Sequence, residues 1–337
     1  MNTLDERFKA FMNQLPFIEV IDDIKLPSEK NDMKRADYFY SDRKAILELK
    51  SLNVNPEYKV HEEMNKQRNR KDYPLFYGEQ EISKILKHLP DGEAIKRQLF
   101  YLISNSTQKS IREANKQIYS TKVIFQCYNS YGILVILNET IDILSPSVLT
   151  KRISQMLCKK DKDDQYHYKH IDVVWIISEN CFIPTKVGTK LMPSVAVYGP
   201  TCEHDKLLEM LCRELQKAWA SFNGVPFVST SDIKVDDINF KTFTSEKKEN
   251  RKFYPRQEIW ELEYRKNPYL RTFSDEAVLA HGARLRDLIG KLMLKNAPRI
   301  PKEKMGEFFE GFTHFLEECK FRGLDLKEMP PLNIDTQ

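Results

Sequence analysis

The sequence predicts an α/β domain, a sheet flanked by helices, followed by a helical C-terminal region. A hairpin pattern occupies residues 37–50, strand and helix patterns alternate from residue 79 to residue 222, and the chain has a helical pattern from about residue 257. The changes in polarity divide the chain into three parts. These are an α/β domain over residues 1–224, a linker or irregular extension over 225–256, and a helical region over 257–337.

The bulk composition narrows the class of protein. The chain has 337 residues, which is long enough for a proper hydrophobic core. Its composition, 41% hydrophobic and 30% charged, argues against global disorder. The net charge of +4 does not by itself indicate a nucleic-acid binder. The six cysteines show neither zinc-site nor disulfide spacing, and no apolar run approaches the length of a membrane span. We therefore expect a cytoplasmic protein that does not engage a membrane.

Apolar spacing and capping residues predict the elements of the α/β domain. Ser145 followed by Pro146 is a typical helix start, and Gly224 is a typical residue just after a helix end. The strands near residues 132–138 and 171–178 are almost wholly apolar, which is typical of central strands covered on both faces. The predicted helices are residues 3–14, 79–89, 93–119, 145–158 and 207–222, and the predicted strands are residues 17–22, 122–128, 132–138, 171–178 and 194–199.

The predicted hairpin carries three charged residues where apolar ones would be expected. It is part of the segment ADYFYSDRKAILELKSL, Ala36–Leu52. Because side chains alternate across a strand, Glu48 and Lys50 share one face. A turn at residues 41–44 would bring Asp37, at the start of the first strand, close to both. The hairpin therefore predicts that two carboxylates and an ammonium group meet at one point.

Two neighbouring carboxylates repel each other and are costly to desolvate, and a divalent cation removes both problems. We expect Mg²⁺ to be held by Asp37, Glu48 and the backbone carbonyl of Leu49, since magnesium prefers hard oxygen ligands. The ion would act as a Lewis acid on a phosphate oxygen and lower the pKa of a bound water. Lys50 would orient that water or neutralise charge at phosphorus. The predicted reaction is phosphodiester hydrolysis.

Asp37, ten intervening residues and then Glu48-Leu49-Lys50 resemble the signature of the PD-(D/E)xK phosphodiesterase superfamily, the restriction-endonuclease-like nucleases. The resemblance implies a mixed sheet flanked by helices, with a core of helix, antiparallel strands, helix and further strand. It also implies a magnesium-dependent deoxyribonuclease, with Mn²⁺ as a substitute ion, of a kind used in restriction, antiviral defence or repair. Ala36 stands where the motif's name has proline, a frequent departure in the family.

The resemblance suggests further site residues. A glutamate on the first helix often contributes to metal binding in such nucleases, and Glu6 is the candidate here, with Glu19 as the alternative. A glutamine or basic residue on the helix after the signature often approaches the phosphate. The candidates for nucleic-acid contact are Arg112, Lys116 and Gln117 on that helix, and the basic run Lys66, Arg68, Arg70 and Lys71. A second basic run, residues 247–256, adds two aromatic residues that could stack on bases.

Simpler interpretations stand beside each of these. The signature is short, a half-exposed strand also alternates charged and apolar residues, and the basic runs could be solvated loops. An acid in a first helical turn, such as Glu6, is commonly only a partner of the helix dipole. Two other functions therefore stay open. One is a catalytically inactive nuclease-fold module that binds nucleic acid or a protein partner, and the other is an interaction scaffold whose hairpin charges are structural ion pairs. The C-terminal helices could bind a protein partner or mediate self-association.

Overall fold

In a computed structural model of the chain, the described residues are 2–25, 33–68, 70–74, 80–185, 188–229, 235–242, 257–292 and 301–331. The chain divides into two units. The first unit is Met1–His61 with Arg97–Glu249, and the second is Glu62–Lys96 with Asn250–Gln337. The sequence-based boundaries placed residues 62–96 in the α/β domain, whereas the structure groups them with the C-terminal helices. Local patterns could not show this, because the grouping depends on contacts between distant segments.

The helices of the described residues are α1 (Leu4–Gln14), α2 (Glu57–Gln67), α3 (Ile82–Lys87), α4 (Gly92–Ile103), α5 (Asn105–Ile124), α6 (Pro146–Leu157), α7 (Lys206–Phe222), α8 (Gln257–Lys266), α9 (Asp275–Leu292) and α10 (Lys302–Arg322). The strands are β1 (Ile18–Val20), β2 (Tyr38–Tyr40), β3 (Ala45–Ser51), β4 (Tyr131–Asn138), β5 (Val173–Ser178), β6 (Cys181–Pro184), β7 (Lys190–Leu191), β8 (Ser194–Tyr198) and β9 (Lys241–Thr242). None of these helices combines the length and the apolar character needed to cross a lipid bilayer.

The first unit contains a mixed sheet. Among the described residues it has six strands in the order β1-β2-β3-β4-β5-β8. β1, β2 and β3 are antiparallel neighbours, β3, β4 and β5 are parallel, and β8 pairs antiparallel with β5. The prediction of an α/β fold with a sheet flanked by helices is therefore confirmed. The small sheet β7-β6-β9 was not predicted, because its strands are too short to show a period.

Helices cover both faces of the six-stranded sheet. α1 and α7 pack on one face, where Phe8 contacts the rings of Trp175 and Trp219 with centroids 5.6 and 5.3 Å away. Leu47 belongs to this apolar cluster and Leu49 packs against it. α5 lies against β3 and β4 on the other face, and α6 lies beside it against β5 and β8. Because side chains alternate, the residues between the leucines of β3 face α5.

The hairpin that joins β2 to β3 has a tight polar turn. Ser41, Asp42 and Arg43 all have left-handed backbone angles, with φ of 54°, 51° and 62°. The Lys44 N–H donates to the Ser41 carbonyl at 3.1 Å, a hydrogen bond typical of a turn. The predicted hairpin and its turn are therefore confirmed. A three-residue left-handed turn closes the hairpin without lengthening either strand.

One predicted strand is wrong. The sequence predicts a strand over residues 122–128 because the segment is almost continuously apolar. α5 instead continues through Ile124, and Gln126, with φ of 54°, turns the chain toward β4. The buried residues Ile118 and Thr121 continue the helical spacing of α5, so packing against the sheet overrides the local preference for a strand.

The structure also shows a helix between β3 and α3 that is absent from the predicted elements. α2 occupies residues 57–67, and its last residues begin the basic run.

Two predictions of helix ends are confirmed in the first unit. The Ser145 hydroxyl accepts the Val148 N–H at 3.4 Å with Pro146 at the helix start, and Gly224 has φ of 66° just after the end of α7.

The second unit has its own core between α8, α9 and α10. Phe315 is fully buried, and a Cβ placed on Gly282 would lie only 2.1 Å from its ring, so glycine permits the close approach of α9 and α10. The buried carboxylate of Glu318 accepts bonds from the Tyr264 hydroxyl and, at 2.7 Å, from Arg322. The described residues of the C-terminal region are therefore mainly helical, as predicted, and Phe312 and Phe315 of α10 contribute to their core.

We expect Phe8→Ala to lower the free energy of unfolding by roughly 3–5 kcal/mol, the usual cost of truncating a buried phenylalanine. Phe8 is 1% exposed and contacts three aromatic rings. Phe17→Ala is the matched control, because Phe17 is 71% exposed, and it should change stability by no more than about 0.5 kcal/mol. Urea titration followed by tryptophan fluorescence measures both. Equal midpoints for the two variants would contradict the packing described here.

Candidate active site

The structure brings together four of the side chains proposed from the sequence. Asp37 directly precedes β2, Glu48 and Lys50 lie in β3, and Gln117 lies in α5. The Leu49 N–H donates to Asp37 Oδ2 at 2.7 Å. Lys50 Nζ lies 2.7 Å from Glu48 Oε1 and donates to Gln117 Oε1 at 2.9 Å. The predicted convergence of two carboxylates and an ammonium group is therefore present.

The backbone of the hairpin places the first carboxylate. The β2–β3 ladder ends at the pair Tyr38 and Leu47. The Asp37 N–H then donates to the Leu47 carbonyl at 3.1 Å, offset by one residue from the ladder. The next free hydrogen-bond donor on this edge of β3 is the Leu49 N–H, which the backbone of a longer β2 would have bound. The Asp37 side chain accepts this N–H instead. The early end of the ladder therefore directs the Asp37 carboxylate onto the edge of β3.

Glu48 is a carboxylate buried without full compensation. Its side chain is 1% exposed, and its Oε2 has no hydrogen-bond partner within the described part of the chain. Lys50 accounts for the other oxygen only. A buried polar atom left without a partner costs free energy, and a native protein usually retains one for a reason such as an ion site.

The pKa of Glu48 is raised to about 8, chiefly by burial and then by the negative charge of Asp37, although the Lys50 ammonium acts in the opposite direction. Burial likewise raises the pKa of Asp37, while the hydrogen bond from the Leu49 N–H lowers it. Each carboxyl group therefore influences the pKa of the other. Without a metal, the pair therefore carries a proton near neutral pH, and a divalent cation could replace that proton.

The donor atoms suit a hard cation. The N–H and C=O of one strand residue point to the same edge, so the Leu49 carbonyl is directed toward Asp37, as its N–H is. Asp37, Glu48 Oε2 and this carbonyl are all oxygen donors. No group of three His, Cys, Asp or Glu side chains able to hold a metal is found among the described residues. The set of two carboxylates and a carbonyl leaves positions for water, which is how magnesium is commonly bound.

A second layer of hydrogen bonds fixes Gln117. Its Nε2 donates to the Arg35 carbonyl at 2.9 Å, while its Oε1 accepts from Lys50. The Thr121 hydroxyl donates to the Gln117 carbonyl and accepts the Ala36 N–H, both at 2.9 Å. Thr121 and Arg35 were missed by the sequence analysis. The spacing of four residues between Gln117 and Thr121 was the available signal, because it puts both on one side of α5.

The structure does not bring Glu6 to this site. Its carboxylate accepts the Thr3 N–H at 2.9 Å, and its own N–H donates to the Thr3 hydroxyl, so it completes a capping box. α1 lies on the sheet face opposite to Glu48. The acid of α1 that approaches β3 is Asp5, which accepts from the Ser51 hydroxyl at 2.7 Å and pairs with Lys9. The helix-start interpretation of Glu6 is the one that the geometry supports.

The proposed nucleic-acid contacts fall into two groups. In the first unit, Arg112 and Lys116 are exposed on α5, and neither forms an ion pair with another described residue. In the second unit, Lys66 pairs with Glu63 at 2.9 Å, and Arg70 pairs with two aspartates at 2.7 and 2.8 Å. The other two residues of that run, Arg68 and Lys71, also have partners. Residues 247–256 lie outside the described residues.

Comparisons with known proteins found no relative of this chain. The chain matched no protein-family model, no curated protein and no solved structure in the three comparisons.

We expect the stability of the metal-free protein to depend on pH through Glu48. Its pKa of about 8 lies above the ordinary 4.5, so its favourable contribution is complete below about pH 4.5 and is lost as the pH rises through 8. Glu48→Gln removes the carboxylate, so the variant should gain stability relative to the wild type by roughly 2–4 kcal/mol between pH 5 and pH 9. Melting curves in EDTA across this range measure the difference.

Glu214→Gln is the matched control, because Glu214 forms an exposed pair with Lys217 at 2.9 Å on α7. Its melting temperature should follow that of the wild type at every pH. Parallel curves for Glu48→Gln and the wild type would show that Glu48 titrates as an ordinary carboxylate.

Proposed function

We propose that the protein is a magnesium-dependent nuclease that hydrolyses phosphodiester bonds in DNA. The observation that carries the proposal is the buried Glu48 carboxylate beside the half-buried Asp37, with Lys50 held between Glu48 and Gln117. A structural ion pair does not account for it, because one ammonium group lies near two carboxylates and Glu48 Oε2 has no partner in the part of the chain that the structure describes. A cation held by both acids accounts for the burial, for the second acid and for the free oxygen.

The order of elements supports the same proposal. α1, the antiparallel strands β1 to β3, α5 and the parallel strand β4 follow the core that the resemblance to the PD-(D/E)xK superfamily implies. We therefore propose a restriction-endonuclease-like fold for the first unit. The departures are Ala36 at the first motif position and the three helices α2, α3 and α4 between β3 and α5.

Each side chain then has a role in the proposed reaction. A bound magnesium ion supplies Lewis-acid stabilisation of a phosphate oxygen and a more acidic water. Asp37 and Glu48 hold that charge in the deprotonated form. Lys50 presents its ammonium beside Glu48, where it can orient the attacking water and balance negative charge that develops on the phosphate. Gln117 positions Lys50, because it accepts from the ammonium while it is anchored on the Arg35 carbonyl.

We expect Glu48→Gln and Lys50→Ala each to reduce magnesium-dependent DNA cleavage at least about 10²-fold, the usual cost of removing a charge aligned with the transition state. Plasmid, single-stranded DNA and RNA, each incubated with Mg²⁺ or Mn²⁺, are the substrates. Glu214→Gln and Lys217→Ala, which alter the exposed pair on α7, should cleave as the wild type does. Circular dichroism checks that every variant is folded.

Undiminished cleavage by both site variants would remove the assignment. Salt-sensitive binding of DNA by the wild type with no cleavage in either metal would instead support the inactive, nucleic-acid-binding alternative.

We also expect Mg²⁺ to raise the melting temperature, because an ion that binds only the folded protein adds about 2.7 kcal/mol at one hundred times its Kd. The increase should be larger at pH 8.5 than at pH 6, since burial raises the pKa of Glu48 and the ion must displace a proton at the lower pH. Asp37→Asn should abolish the increase, and Glu214→Gln should retain it. An increase that is equal at both pH values and survives Asp37→Asn would place the ion elsewhere.

A further inference from the structure

An ion pair lies beside Asp37, and its side chains make no hydrogen bond to Asp37, Glu48 or Lys50 in the described part of the chain. The Ile21 N–H donates to the Asp37 carbonyl at 3.0 Å, so the 3-10 turn Ile21–Asp23 begins next to this residue. Arg35 lies two residues before Asp37 in the chain. Its guanidinium NH2 donates to Asp22 Oδ1 at 3.2 Å. The pair therefore combines one residue from each of the two segments that border Asp37.

The two partners differ in their surroundings. The Arg35 side chain is 14% exposed, whereas that of Asp22 is 77% exposed. The backbone of Arg35 is fixed to the site, because its carbonyl accepts the Gln117 amide. An ion pair with one partner in solvent is worth no more than about 1 kcal/mol, so Asp22 can be exchanged at small cost. The pair thus combines the mostly buried Arg35 guanidinium with the exposed Asp22 carboxylate, which another anion can replace.

A guanidinium group is well suited to a phosphate. It is planar, always charged and able to donate two parallel hydrogen bonds to phosphate oxygens. Within the described residues, the one side-chain bond that the Arg35 guanidinium makes goes to a single oxygen of Asp22. A phosphodiester can replace that bond and use further donors of the same group.

We propose that Arg35 binds a phosphate of the nucleic-acid strand next to the cleaved bond, and that Asp22 occupies Arg35 until the strand arrives. This inference rests on the proposed function, since it takes the Asp37 site as the place of cleavage. Arg35 binds substrate, and Asp22 competes with the substrate for it. Removing each partner should therefore change affinity in opposite directions.

The chain offers a matched control pair in the same sheet. Arg43 donates from Nε and NH2 to Glu19, with the shortest contact at 2.7 Å, and its guanidinium also lies 4.8 Å from the Phe39 ring centroid. This pair lies at the turn of the hairpin, at the opposite end of β2 from Asp37. Substitutions there change the same charges without touching the proposed phosphate contact.

The test measures binding of labelled single-stranded and duplex oligonucleotides by fluorescence anisotropy, in calcium and over a range of salt. The full chain carries Glu48→Gln throughout, so that cleavage does not disturb the titration. We expect Arg35→Gln to weaken binding about 5–10-fold at low salt and to reduce the slope of log K against log salt by about 0.7–0.9, the value for one lost phosphate contact. Asp22→Asn should tighten binding about 3-fold, because the competing carboxylate is gone.

The Arg43→Gln and Glu19→Gln variants should bind the oligonucleotides within about 2-fold of the parent protein, because these exposed charges are remote from the proposed phosphate contact. Arg35→Lys keeps the charge but not the planar fork, so it should retain the salt slope and lose part of the affinity. Equal effects of Arg35→Gln and Arg43→Gln would overturn the inference, as would weaker binding by Asp22→Asn or no binding by the parent chain.

Cleavage assays separate this inference from the proposed function. If the wild type cleaves DNA and Glu48→Gln does not, while Arg35→Gln binds as Arg43→Gln does, the nuclease stands and the Arg35 contact fails. If the wild type never cleaves but Arg35→Gln and Asp22→Asn shift binding in the expected directions, the Arg35 contact stands and the cleavage proposal fails.

Discussion

Burial of the Glu48 carboxylate beside Asp37 is the constraint on which the rest of the site depends. A second negative charge next to a desolvated acid is unfavourable, and Lys50 faces only one oxygen of Glu48. The free protein reduces this cost by keeping a proton on the pair. Under the proposed function, a divalent ion would restore both charges and satisfy the Glu48 oxygen that has no partner among the described residues.

Hydrogen bonds and apolar contacts on every side of β3 fix the position of Glu48 and Lys50. β3 is hydrogen-bonded on one side to β2 and on the other to β4, with Glu48 opposite Leu134 and Lys50 opposite Ile136. The leucines of β3 anchor the opposite face in the apolar cluster under α1 and α7. α5 closes the charged face, and Gln117 links it to Lys50. The same strand therefore supplies both the core contacts that fix its position and the charges that face the site.

The distribution of the basic residues separates candidate contacts from structural charges. Lys66 and Arg70 are engaged by carboxylates of the second unit, so their charges are largely balanced where they stand. Arg112 and Lys116 are exposed on α5, close in sequence to Gln117. Arg35 is different again, since a mostly buried guanidinium meets a solvent-exposed acid. Net charge alone would not distinguish these three environments.

The sequence by itself determined the hairpin, the shared face of Glu48 and Lys50, and the placement of Asp37 near them, because strand alternation and turn chemistry are local properties. It could not determine that α5 extends through residue 124, since that choice depends on packing against the sheet. Tertiary structure alone decided that α1 lies on the far face of the sheet, that Gln117 reaches both Lys50 and the Arg35 carbonyl, and that residues 62–96 join the second unit. These outcomes depend on contacts between segments far apart in the chain, whereas the capping box of Glu6 with Thr3 is a local contact.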